Sequence, residues 1–310
     1  MVISIKDLHK TYKVGFWAKK VEILKGVNLE IGAGESFGLL GPNGAGKTTT
    51  LKILVGLVYP TKGEVTIFDK PPNNTQIKKL IGFLPENPYI YTYLTGKEIL
   101  TLAGRIFKIS DKLLNTRIKE LLELVNLSIQ DSNKQLKTYS KGMLQRICLA
   151  QALINDPELV LLDEPLSGLD PIGRHEVKKI IQILKQQGKT IFFNTHILSD
   201  VEEMCDRVAI MVGGKIIKEG KIEDLVSPID NLFQIKVKGL NDVGKNNLKR
   251  ISIKLVTENF TTIATFNDFS VALKAINIAK QSGGNVLELS KYKTNLEEIF
   301  VETVNSVNKE

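Results

Sequence analysis

In GLLGPNGAGKTTT, residues 38–50, glycines at 41, 44 and 46 run straight into Lys47, Thr48 and Thr49. The pattern G-x-x-x-x-G-K-T opens at Gly41 and closes at Thr48. Such glycines permit a tight loop whose successive backbone N–H groups turn inward toward phosphate oxygens. The loop here is Gly41, Pro42, Asn43, Gly44, Ala45 and Gly46. A lysine placed next reaches the β- and γ-phosphates of a nucleoside triphosphate, and the threonine after it can ligate Mg²⁺. Those positions are Lys47 and Thr48, and Thr49 extends the cradle.

Two further stretches bear on the same chemistry. LVLLDEP, residues 159–165, runs four apolar residues into Asp163 and Glu164. The apolar run buries a strand and brings Asp163 to its C-terminal edge, where open parallel sheets bind ligands. Asp163 is expected to hold Mg²⁺, directly or through water, and Glu164 to orient and polarise an attacking water. A positioned general base contributes about 10²–10⁴-fold in rate. TYSKGMLQRICLAQALI, residues 138–154, starts a helical run after Ser140, Lys141 and Gly142. A serine hydroxyl and free N–H groups at a helix start form an anion site. The chain thus offers a second phosphate site although the glycine loop already supplies one.

The elements that must position these residues follow from the apolar pattern. VISIKDLHKTY, VEILKGVNLEI and ESFGLLG read as strands separated by glycine-rich turns, and KTTTLKILVGL reads as a helix. Helical spacing dominates from about residue 94 to 153. LVLLD and TIFFNTH are short buried-strand candidates, each followed by a helical stretch. Apolar strands alternating with helices imply a parallel α/β sheet. Composition shifts near EDLVSPIDN, and beyond Pro228 the segments LFQIKVKGL, ISIKLV and TTIATF precede two amphipathic stretches. That pattern predicts a separate small α+β domain.

The 310 residues are 43% hydrophobic and 25% charged, ordinary values for a globular protein. No segment approaches the roughly 20 consecutive apolar residues of a membrane span. The start MVISIKDLHK lacks the basic-then-apolar layout of a secretory signal. Two cysteines, Cys148 and Cys205, make no disulfide framework and suit small core positions in a reducing cytosol rather than reactive ones. The net charge of +8 is dispersed rather than gathered in a basic tract, so nucleic acid is not the expected partner.

The ordered set of motifs resembles the ATP-binding subunit of ABC transporters over about residues 1–220. GPNGAGKTT looks like the family's Walker A motif and LVLLDEP like its Walker B. LSGLD, ending at Asp170, resembles the D-loop, FNTHILSD carries a switch histidine, His196, and YSKGMLQR stands where the LSGGQ signature belongs. Tyr12 takes the place of the aromatic that stacks on adenine. The resemblance implies a P-loop NTPase of ABC type: a mixed, mainly parallel sheet core, an antiparallel β subdomain and a helical subdomain near residues 88–155. The expected domains are residues 1–225 and a small C-terminal domain of residues 226–310 like that of ABC-2-type systems, where NLEEIFVETV resembles the closing motif.

In the family, two such subunits pair head to tail around two ATP molecules. The resemblance therefore implies that Ser140, Lys141 and Gly142 complete the partner's ATP site, that Asp170 lines the dimer seam, and that His196 contacts the γ-phosphate. It implies ATP and Mg²⁺ as ligands and a homodimer, or a dimer with a related subunit. It also implies a separate membrane permease, work in export, and a place on the cytoplasmic face of the membrane held through that permease. A soluble ATPase acting on ribosomes or DNA is the alternative, though the chain has one ATPase domain and no long coiled-coil insert. Three positions depart from the family pattern: Lys141 for a glycine, Met143 for a glutamine, and Glu86, in IGFLPENPYIY, for a glutamine that reaches metal and water. Ionised, Glu86 accepts but cannot donate, and it adds negative charge beside the metal. Tyr89, Tyr91 and Tyr93 follow; they either pack on their own helices or anchor the permease, whose coupling helix docks on this face in the family.

Overall fold

Short runs of Leu, Ile, Val and Phe bounded by glycine turns favour strands buried on both faces. A computed structural model bears this out and describes residues 1–15, 19–226, 228–293 and 296–307. The chain divides into two compact units, Met1–Ile222 with Thr303–Glu310, and Glu223–Glu302.

The centre of the first unit is a six-stranded sheet. Its order is Ile81–Leu84, Leu159–Asp163, Thr190–Thr195, Ser36–Leu40, Arg207–Val212 and Lys215–Lys221. The first five strands run parallel, and the sixth is antiparallel. Gly213 and Gly214, at φ +55° and +88°, close the tight turn that reverses the last strand. The sequence reading anticipated the parallel part but not this edge hairpin. Every residue of Ser36–Leu40, Leu159–Asp163 and Thr190–Thr195 is buried. Phe37 and Phe192 stack with ring centroids 6.0 Å apart. Each buried Leu, Ile or Phe contributes about 1.5–3 kcal/mol, so these strands anchor their polar ends firmly.

A separate antiparallel sheet orders Lys19–Ile31, Ile3–Val14 and Lys62–Ile67. Four helices fill the stretch expected to be helical: Gly96–Ile106, Asp111–Leu124, Ile129–Ser132 and Lys141–Ala152. Thr95 and Glu98 form a reciprocal capping box that starts the first of them.

The second unit is a four-stranded antiparallel sheet ordered Lys254–Glu258, Thr261–Phe266, Pro228–Lys238 and Asn285–Lys293. Helices Asp242–Ile251 and Phe269–Gln281 help build its core with Ile235, Val237, Leu248, Ala264 and Phe266. ISIKLV proves divided, since Ile251 ends a helix and the strand begins at Lys254. Of the segments singled out from sequence, Ser227, Asn295 and residues 308–310 lie outside the described residues. Among those described, no helix is long and apolar enough to cross a membrane.

Candidate active site

The glycine loop lies between the C-terminal end of Ser36–Leu40 and the helix Lys47–Leu54. Gly46 caps that helix at φ +111°, and a Cβ there would stand 2.7 Å from Leu24 Cδ2. A Cβ on Gly41 would stand 2.3 Å from the Met211 carbonyl oxygen. Gly41 is held to glycine by a backbone clash, and Gly46 chiefly by its left-handed φ, with the Leu24 methyl adding to it. The loop borders a cavity of about 470 Å³ lined also by Ile23, Asn43, Lys47, Thr48, Thr49, Glu86, Glu164, Ser167 and His196.

Lys47 is only 6% exposed. Its ammonium donates to the carbonyls of Gly41 (2.7 Å) and Pro42 (3.2 Å) and lies 3.7 Å from Glu164 Oε1. Burial pulls its pKa down, while Glu164 and Asp163 pull it back up. Glu164 sits at φ +48°, a left-handed conformation costly for a residue with a Cβ. Its N–H donates to the Asn194 carbonyl, and both its carboxylate oxygens lie 3.0 Å from His196 Nδ1. The strained turn thus aims the carboxylate at both the histidine and the lysine.

Asp163 is pinned beneath the cavity. The Thr48 hydroxyl donates to its Oδ1 at 3.2 Å, and Asn194 Nδ2 donates to the same oxygen at 2.9 Å. Asp163 and Asn194 are direct neighbours in the parallel register. Burial raises the Asp163 pKa; the Asn194 and Thr48 bonds oppose this, and nearby Glu86 and Glu164 add to it. Asn194 Oδ1 is buried without a partner. A buried carboxylate disfavoured as an anion, beside a hydroxyl and an orphaned amide oxygen, is a donor set suited to a hydrated hard cation. Among the described residues no group of three His, Cys, Asp or Glu forms a self-sufficient metal cage.

Other residues singled out from sequence lie elsewhere. Ser140, Lys141, Gly142, Asp170 and Tyr12 are not among the residues lining the cavity. Ser140 caps the helix Lys141–Ala152 by accepting from Met143 N–H, and Asp170 caps Pro171–Gln186 by accepting from Gly173 N–H. The Lys141 side chain lies across Gly168. Tyr12 pairs with Val21 across the antiparallel sheet, and the Lys10 ammonium stands 4.8 Å from its ring centroid. Ile23, Ser167 and Asn194 were not singled out in the sequence, although Ser167 lies inside LSGLD and Asn194 is a polar residue inside the buried run TIFFNTH. Both cysteines are buried, and the Cys148 thiol is pushed up to about 12 by burial, so neither is poised as a nucleophile.

The family described as ABC transporter matches residues 24–167. An uncharacterized ABC transporter ATP-binding protein of Nostoc is 44% identical over 98% of this chain and 90% of its own length. The bacitracin transport ATP-binding protein of Bacillus licheniformis is 34% identical over 98% and 97%. A solved ATP-binding cassette, a dimer in a post-hydrolysis state bound to ADP and phosphate, is 31% identical with a TM-score of 0.65, covering 71% of this chain and 98% of that one. The glycine loop, the buried aspartate and the glutamate–histidine pair are set in the mixed sheet of such a cassette, and the chain belongs to the ABC transporter family as an ATP-binding subunit, an ATPase.

Proposed function

We propose that this subunit binds ATP with Mg²⁺, pairs with a second copy or a related subunit, and drives a separate membrane permease, with export as its direction. The observation that carries the reading is the convergence of Lys47, Thr48, Glu164 and His196 on one cavity, with Asp163 bonded to Thr48 beneath it. The glycine-loop N–H groups and Lys47 hold the phosphates. Thr48 and Asp163 hold Mg²⁺, which when bound neutralises charge on the phosphates. Glu164 takes a proton from the attacking water as the bond to the γ-phosphate breaks, giving ADP and inorganic phosphate. His196, held on Glu164, orients that carboxylate and contacts the γ-phosphate.

Ser140 and Gly142 stand at a helix start outside the cavity of their own chain, which suits service to a partner's ATP. Asp170 and Lys141 accompany them on the dimer seam. Tyr12 offers an aromatic face to adenine from the antiparallel sheet. A groove of about 430 Å³ between Gly96–Ile106 and residues 81–91 is the proposed seat of the permease; Tyr89 and Tyr91 line it and are exposed. The second unit, Glu223–Glu302, is taken as an accessory domain for dimer contact or regulation. Relatives named for bacitracin transport, linearmycin resistance and Nod factor export favour export. The test is affinity purification of the tagged chain from membranes in mild detergent. A multi-spanning protein should accompany it and be lost with Tyr89→Ala plus Tyr91→Ala; recovery of ribosomes or DNA instead would replace the permease reading.

A further inference from the structure

Charge in the nucleotide cavity is out of balance before any ligand arrives. Glu86, Glu164 and the Asp163 beneath them face a single lysine, Lys47. Glu164 is partnered by Lys47 and His196, and Asp163 by Thr48 and Asn194. Glu86 lines the same cavity, is exposed, and among the described residues makes no hydrogen bond or ion pair. It stands on the segment just after the strand Ile81–Leu84, beside the strand that carries Asp163. A metal-free triphosphate carries about four negative charges at neutral pH, and an uncompensated carboxylate in the same cavity repels it.

We propose that Glu86 makes nucleotide entry conditional on a divalent cation: it opposes the bare triphosphate and favours the metal complex. The inference rests on the nucleotide reading above and adds its regulation by cation. Lys47 alone would admit a triphosphate with or without metal. Glu86 subtracts from the metal-free affinity and adds to cation affinity once nucleotide is present, so it widens the gap between the two bound states. Linkage makes the effect reciprocal, since the factor by which cation tightens nucleotide equals the factor by which nucleotide tightens cation.

The test is isothermal titration of the full chain with the non-hydrolysable β,γ-imido analogue of ATP, in excess MgCl₂ and in EDTA. The readout is the ratio of the two Kd values. Glu86→Gln keeps the shape and removes the charge; it should lower the ratio at least threefold, mainly by tightening the metal-free complex. Glu123→Gln, on the exposed face of Asp111–Leu124, removes the same charge away from the cavity and should leave the ratio unchanged. An unchanged ratio in Glu86→Gln, or an equal fall in both variants, would overturn the proposal while leaving nucleotide binding intact. Absence of any binding by the wild-type chain in MgCl₂ would instead overturn the nucleotide reading itself.

Discussion

Two glycines only two residues apart, Gly44 and Gly46, make different demands on the phosphate loop. Gly44 has φ +81° with nothing within 4 Å of a would-be Cβ, whereas Gly46 combines φ +111° with Leu24 Cδ2 at 2.7 Å. Gly44→Ala should cost only the left-handed strain of about 1–2 kcal/mol. Gly46→Ala adds a clash and should abolish nucleotide binding by titration; the reverse ranking would contradict the geometry. Lys47→Ala removes the buried cation 3.7 Å from Glu164 and should cut ATP turnover at least about 100-fold, and wild-type turnover would remove the phosphate assignment. The sequence disclosed these residues because the loop chemistry is local. It hid Asn194, since the bond to Asp163 exists only once Leu159–Asp163 and Thr190–Thr195 lie in register.

At the scale of elements, strands and helices do their work through their ends. Buried aliphatic runs were legible and stop where the polar residues start. Less legible was Asp242–Ile251, where Gly244, Asn246 and Asn247 lower helix propensity and Leu248 is the one fully buried apolar side chain. Its Asn241 cap, which accepts from Gly244 N–H, was the signal available. Across the antiparallel sheet, His9 bonds to Glu22 at 2.9 Å and to Asp7 at 3.0 Å, and Lys62 pairs with Asp7. The Glu22 and Asp7 bonds raise the His9 pKa, and the Lys62 and His9 bonds lower that of Asp7. The His9 contribution is therefore complete below its ordinary value of 6.5 and fades as pH rises through the raised folded value. Asp7 contributes above its ordinary 3.8 and fails as pH falls through its lowered one. His9→Gln should lower the melting temperature more at pH 6 than at pH 9, by about 1–3 °C for so exposed a cluster. An equal loss at both pH values would show that the bonds do not depend on the histidine's charge.

On the proposed reading, the phosphate-binding features of the first unit are divided between two surfaces. One surface holds the loop, the buried aspartate and the glutamate–histidine pair; the signature helix Lys141–Ala152, capped by Ser140, lies outside that cavity. No local pattern in the sequence states where a second phosphate site finds its phosphate, because on the proposed reading the answer lies in an assembly. Glu164→Gln keeps the residue's shape at 8% exposure and removes the base, so ATP should bind without being consumed. Size-exclusion chromatography with light scattering, run on Glu164→Gln with Mg²⁺ and ATP, tests the shared site most directly. A particle of twice the subunit mass is expected, reverting to monomer when Ser140→Ala and Gly142→Asp are added. A Glu164→Gln chain that stays monomeric in ATP, while the wild-type chain hydrolyses ATP as a monomer, would contradict the shared site.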